Sequence, residues 1–121
     1  MVKSFLLVGL GGSIGSMLRY LVATIWRTDN FPYNTLVINI VGSLLIGIVF
    51  ALSEKTDLIN DNMKLFLATG ICGGFTTFST FSAENFQLLK SGAYLTAAGY
   101  IFASITMCIV ATFIGFKIIN N

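Results

Sequence analysis

The chain contains no histidine, one proline, two cysteines and only five acidic residues in a length of 121. With no histidine and no nucleophile set beside a base, nothing supports hydrolytic or redox chemistry. The two cysteines, Cys72 and Cys108, are isolated from one another in sequence and do not by themselves make a metal site. Inside apolar sequence their default role is packing as small hydrophobes. Charge is scarce as well: 10% of residues are charged against 55% hydrophobic. Such a chain cannot form a water-soluble globule, because its long apolar runs would find no core large enough to hide in. The first, second and fourth runs also lack any carboxylate. That absence counts against a small proton-coupled exporter, which needs an acid buried in the membrane.

What the sequence does have is four apolar runs that approach or exceed the roughly 20 residues needed to cross a hydrocarbon core of about 30 Å. We place membrane spans near residues 4–26, 35–52, 64–89 and 92–117, forming one integral membrane domain over 1–121. The connections are short, and Asp29, Asn30 and Pro32 punctuate the first as a turn. Lys3 ahead of an apolar stretch resembles a secretory signal, but no small-residue cleavage site closes it. Gly9, Gly11, Gly12 and Gly15, with Asp29 behind them, approximate a dinucleotide-binding loop. That fingerprint requires a soluble strand-helix-strand unit, and the downstream sequence reads as membrane helix. The simpler reading is close helix packing through small residues four apart: Gly11 and Gly15, Gly70 and Gly74, Ser43 and Gly47.

Polar residues inside the spans carry the functional signal, since each costs insertion energy and faces a partner or a cavity. The densest run is Gly73-Gly74-Phe75-Thr76-Thr77-Phe78-Ser79-Thr80-Phe81-Ser82-Ala83-Glu84, which sets hydroxyls and phenyl rings behind a glycine pair. A break at Gly73-Gly74 is tolerable in lipid only if it is buried in protein or lines a water-filled path, so the run predicts a small pore. Asn39 sits alone among Val37, Ile38, Ile40 and Val41, either as an interhelical hydrogen bond or as a pore donor. Tyr100, Ser104, Cys108 and Thr112 recur every four residues and therefore share one helix face. That stripe reads equally as packing glue or as a conduction path. Arg19 is the only basic residue deep in a span; snorkelling, or pairing with an acid such as Glu84, is favoured over direct substrate contact. Glu84 itself reads as a cap or orienting group for the second half of the third span.

These residues resemble the Fluc-type, or CrcB-like, fluoride channels over nearly the whole chain. Gly11-Gly12-x-x-Gly15-x-x-x-Arg19-Tyr20 is similar to the first-span signature, and Asn34-Thr35-x-Val37-x-Asn39-x-x-Gly42 to the second. The run from Gly73 to Glu84 is similar to the third and is the most specific. The resemblance implies an all-α membrane protein with four transmembrane helices per subunit, the third broken, assembled as an antiparallel, dual-topology homodimer. It implies a passive, fluoride-selective channel that exports fluoride across a bacterial cytoplasmic membrane and confers fluoride resistance. The implied partners are fluoride, bilayer lipid and a second copy, with no nucleic acid and no enzymatic step. By the same resemblance the ion path uses Asn39, Phe78, Ser79, Phe81, Ser82, Ser104, Cys108 and Thr112. The carbonyls of Gly73 and Thr76 hold a structural Na⁺ at the dimer centre, and Arg19 and Glu84 take structural or vestibule roles. Cys108 departs from the hydroxyl common at its position, and a thiol is the weaker donor.

Overall fold

The computed structural model describes residues 1–120, and they form helices joined by short turns. Helix α1 (Val2–Ile25) ends at Trp26, whose extended backbone (φ −127°, ψ 90°) still donates its N–H to Val22 O. Asn34 then ties the first turn together. Its Nδ2 donates to Trp26 O at 3.1 Å, and its Oδ1 accepts from Thr35 N at 2.8 Å and from Thr28 Oγ1 at 3.2 Å. Pro32 precedes helix α2 (Tyr33–Lys55) at the N-cap position, where its missing N–H leaves nothing unpaired. At the far end of α2, Lys55 Nζ donates to Ile119 O at 2.8 Å, which fixes the last turn of the final helix against α2.

The third crossing is composite. Asn60 caps the short helix α3 (Asp61–Lys64) by accepting from Met63 N, and the chain then widens into a π-helical segment, Leu65–Cys72. Helix α4 (Gly73–Phe75) follows. Thr76 (φ −78°, ψ 160°) and Thr77 (φ −150°, ψ 121°) are extended, and helix α5 (Phe78–Lys90) begins directly after them. Thr77 is its N-cap, with Oγ1 accepting from Thr80 N at 3.1 Å. Helix α5 ends at Gly92 in the left-handed region (φ 84°). Ala93 N donates to Leu88 O and Gly92 N to Leu89 O there, the paired bonds of a glycine-terminated helix. Helix α6 (Tyr94–Ile119) completes the chain.

One expectation is corrected. The glycine pair Gly73-Gly74 is helical, and the residues that leave the helix are Thr76 and Thr77. Gly74 serves close approach and not backbone freedom, because a methyl group there would lie 2.5 Å from Gly12 O, as one at Gly70 would lie 2.9 Å from Gly11 Cα, whereas one at Gly73 would meet only Ala68 O at an ordinary 3.7 Å.

Four helical stretches, Val2–Ile25, Tyr33–Lys55, Asp61–Lys90 and Tyr94–Ile119, are long and apolar enough to cross a membrane. They pack as two pairs: α1 lies along the third crossing and α2 along α6. Small residues set both contacts. Gly15 meets the backbone of Ile71 and Phe75, Gly47 meets that of Thr112 and Phe116, and Gly115 meets that of Leu44 and Ile48. Lipid offers no hydrophobic drive between helices, so such backbone approach is what holds them. The internal cluster is correspondingly small, comprising Leu36, Phe81 and Tyr100 with Phe31, Ile40 and Leu88 against it. Large side chains such as Leu95, Phe102 and Phe113 point outward.

A Cβ added at Gly47 has no room beside the α6 backbone, whereas one added at Gly99 meets nothing within 4 Å. We therefore expect Gly47→Ala to lower stability in detergent by about 1–3 kcal/mol. Gly99→Ala should change it by less than about 0.5 kcal/mol. Equal unfolding midpoints for the two variants in a denaturant series would contradict this account of the α2–α6 contact.

Candidate functional site

The site is built where the third crossing leaves the helix. Two extended residues strand several backbone groups, and α2 supplies the repair. Asn39 Oδ1 accepts from Thr77 N at 2.8 Å, and Asn39 Nδ2 donates to Thr77 O at 3.2 Å. One amide side chain thus pairs both polar groups of one residue and keeps its second N–H uncommitted to Thr77. From α1, Arg19 Nε donates to Gly74 O at 3.1 Å. Thr76 closes back on its own helix, its N–H and Oγ1 both reaching Cys72 O. Among the described residues no hydrogen bond reaches the carbonyls of Gly73 or Thr76. Gly42 makes this local geometry possible, because a methyl group there would collide with Thr76 Cγ2.

Beside this junction lies a cavity of about 320 Å³. It gathers Asn39 from α2, Gly73 and Thr76 from the third crossing, Phe78 and Phe81 from α5, and Ser104 and Cys108 from α6. Seven of the sequence-predicted positions therefore share one space. Ser104 is 7% exposed, and its Oγ has no hydrogen-bond partner. Phe81 is 8% exposed; its ring stands edge-on to Tyr100 (centroids 4.9 Å apart, 63°) and 5.5 Å from Phe78. Phe78 is 78% exposed and projects from the subunit at the cavity's edge.

Five predicted positions lie outside that cavity. Thr112 Oγ1 sits within hydrogen-bonding reach of Ser43 O at 3.1 Å and Cys108 O at 3.2 Å, so its hydroxyl joins α6 to α2. Ser79 and Ser82 are exposed on α5, the former 3.4 Å from Thr77 Oγ1. The remaining pair, Arg19 and Glu84, take separate partners. Arg19 finds the Gly74 carbonyl, while Glu84 accepts from Thr35 Oγ1 at 2.8 Å (Oε2) and from Tyr100 OH at 2.7 Å (Oε1). Two neutral hydroxyls, one from α2 and one from α6, thereby hold this carboxylate on α5.

Sequence reasoning placed Thr35 and Gly42 in the second-span signature and Ser43 in a packing pair with Gly47, gave none of the three a place in the site, and did not connect Tyr100 to Glu84. A signal existed in the spacing. Thr35, Asn39, Gly42 and Ser43 recur at three- and four-residue intervals and so form one polar, small-residue face of α2.

The profile of CrcB-like proteins (Camphor Resistance, CrcB) matches residues 6–116. The chain belongs to this family. A relative from Leptospira interrogans, a fluoride-specific ion channel FluC, is 47% identical over 98% of this chain and 96% of its own length. FluC of Phocaeicola vulgatus is 48% identical over 94% of this chain and 96% of its own. FluC of Clostridium perfringens is 53% identical over 72% of this chain and 70% of its own. The match to the CrcB-like profile takes in the Asn39 clamp, the extended Thr76-Thr77 and the α6 stripe alike.

In this CrcB-like chain the clamp has a direct energetic consequence. Replacing Asn39 by Ala strands a donor and an acceptor on Thr77, each costing about 1–3 kcal/mol when buried. We expect Asn39→Ala to unfold at lower denaturant than the parent by an amount in that range, with amide exchange quickened at Thr77. An unchanged midpoint together with unchanged exchange at Thr77 would remove the clamp from the account.

Proposed function

We propose that the protein is a passive, fluoride-selective channel subunit that forms one membrane domain and performs no enzymatic step. The single observation that carries this reading is the Ser104 hydroxyl, which lines the cavity, is buried, and donates to nothing. A buried donor without an acceptor costs about 1–3 kcal/mol. A bound anion would supply the missing acceptor. A fluoride ion entering a narrow pore gives up a strongly held hydration shell and needs replacement donors, while a buried full cation would hold it too tightly to leave. The cavity offers neutral groups: the Ser104 hydroxyl, the second N–H of Asn39, and the weaker thiol of Cys108. The positive edges of Phe78 and Phe81 add attraction without a full charge. Ser79, Ser82 and Thr112 extend the same chemistry along α5 and α6. The relatives' designation as fluoride-specific channels supports the identity of the ion.

The assembly we propose is an antiparallel homodimer in a bacterial cytoplasmic membrane. The N-terminus, the α2–α3 loop and the C-terminus carry Lys3, Lys55, Lys64 and Lys117, against Arg27 and Lys90 on the other side. So small a bias permits insertion in both orientations. Phe78 exposed at the cavity edge fits a site that a second copy covers. The break in the third helix would then lie at the dimer centre, where the unpaired carbonyls of Gly73 and Thr76 suit a hard cation such as Na⁺. That ion would offset carbonyl dipoles left without helical donors. An inside-negative potential drives an anion outward with about 2.3 kcal/mol per elementary charge per 100 mV, so passive export suffices for fluoride resistance.

Purified protein in liposomes should release fluoride under an electrical gradient with no proton gradient, and chloride should not substitute. Phe78→Ile and Phe81→Ile should each cut the fluoride rate severely while the protein stays folded. Normal rates in both would dispose of the aromatic-edge mechanism, and no flux from folded parent protein would dispose of the channel. For the assembly, a high-resolution map in Na⁺ should show subunits of opposite orientation about a twofold axis. Density bridging the Gly73 and Thr76 carbonyls at distances too short for water is expected there. Parallel subunits would defeat the topology, and water-like distances would defeat the ion.

A further inference from the structure

Cys72 and Cys108 are both free thiols, and both line the 320 Å³ cavity, one from the π-helical segment and the other from α6. Their separation in sequence concealed this. Cys72 is 5% exposed and Cys108 is partly exposed, and both belong to the wall of this one cavity. Ser104 lies one turn from Cys108 on the same helix face, and its unpartnered Oγ opens on the same space. The cavity thus offers two sulfurs, the neutral oxygen of Ser104 beside Cys108, and further neutral oxygens at Gly73 and Thr76. No cluster of three or more His, Cys, Asp or Glu side chains exists among the described residues.

We propose that Cys72 and Cys108 together form a binding site for a soft, two-coordinate metal cation such as Hg²⁺, with Ser104 Oγ as a secondary contact. The donor set decides the class of ion. Thiolate sulfur selects soft metals, Zn²⁺ in a closed site wants four nitrogen or sulfur ligands, and hard cations want several oxygens. Binding breaks two S–H bonds and forms two Hg–S bonds, and both protons leave to solvent. No oxidation is involved. The product is neutral, two thiolates against a doubly charged ion, and a low-dielectric cavity tolerates it where it would penalise a net charge. Held there, the metal fills the space beside Asn39, Phe81 and Ser104. On the channel reading given above, which this consequence alone depends on, it closes the path to fluoride.

The test uses purified full-length protein in detergent and in liposomes, with Hg²⁺ as the probe. Titration followed by sulfur-to-mercury absorbance in the ultraviolet, with a count of free thiols, should reach one Hg²⁺ per chain with both thiols consumed together. Cys72→Ser and Cys108→Ser should each lose the metal to a competing small thiol at least about tenfold more readily than the parent. Cys72→Ala and Cys108→Ala guard against a hydroxyl replacing the sulfur. In liposomes, fluoride efflux should fall on adding Hg²⁺ and return with a dithiol chelator. Each variant is scored as the fraction of its own uninhibited rate, and the double variant should resist the block. Two Hg²⁺ per chain, each consuming one thiol, would overturn the shared site, as would equal retention by single variants and parent. Efflux that persists with the site saturated would overturn the closure. Absence of efflux before any mercury is added would instead count against the channel, while one-to-one binding would still uphold the metal site.

Discussion

In hydrocarbon every backbone N–H and C=O must find a partner within the protein, and Thr76 and Thr77 are where the helix stops providing one. Much of the interior follows from how those groups are satisfied. Asn39 covers both sides of Thr77, Arg19 covers Gly74 O, the Thr77 hydroxyl caps α5, and Cys72 O takes two donors from Thr76. Three different crossings are thereby tied to one point. The carbonyls left over, at Gly73 and Thr76, accept no hydrogen bond among the described residues.

The repair works only because the helices come close enough to deliver these side chains. Gly11, Gly15, Gly70 and Gly74 bring α1 against the third crossing, which brings Arg19 within reach of Gly74 O. Gly47 and Gly115 bring α2 against α6, and the same contact lets Thr112 reach Ser43 O and lets Thr35 and Tyr100 converge on Glu84. Gly42 leaves the space that Thr76 Cγ2 fills. Packing and polar chemistry are therefore one arrangement. A methyl group at any of these glycines would displace a hydrogen bond several residues away.

The four apolar helices were legible in the sequence, because length and hydropathy report them directly, and four-residue spacing put Ser104 and Cys108 on one helix face; that Asn39 and Phe81 belong with them was implied by the resemblance and not by spacing. The place of the extended residues was not legible. Glycine pairs signal both flexibility and close approach, and here approach wins, since the departure from helix is stabilised by hydrogen bonds from Asn39 and Thr80, two residues outside the pair. The π-helical widening over Leu65–Cys72, in the segment that packs along α1, had no sequence signature. Thr35 was read only as part of the second-span signature, because its pairing partner Glu84 lies 49 positions away and pairing across that distance is a property of the fold.

The charges that remain near the cavity are disarmed in a consistent way. Arg19 directs a nitrogen to a backbone carbonyl and Glu84 is held by two hydroxyls, so neither presents an uncommitted charge at the cavity wall. Other cations stand toward the helix ends, where Lys55 bonds the last turn of α6 and Lys64 and Lys90 lie over phenyl rings. The cavity wall is mostly apolar, with a few weak, neutral donors and the Phe78 and Phe81 rings set into it. An anion in such a place exchanges water for several modest contacts, none strong enough to trap it. The same neutrality admits a soft metal that brings its own charge balance, because two thiols that lose their protons match a doubly charged ion.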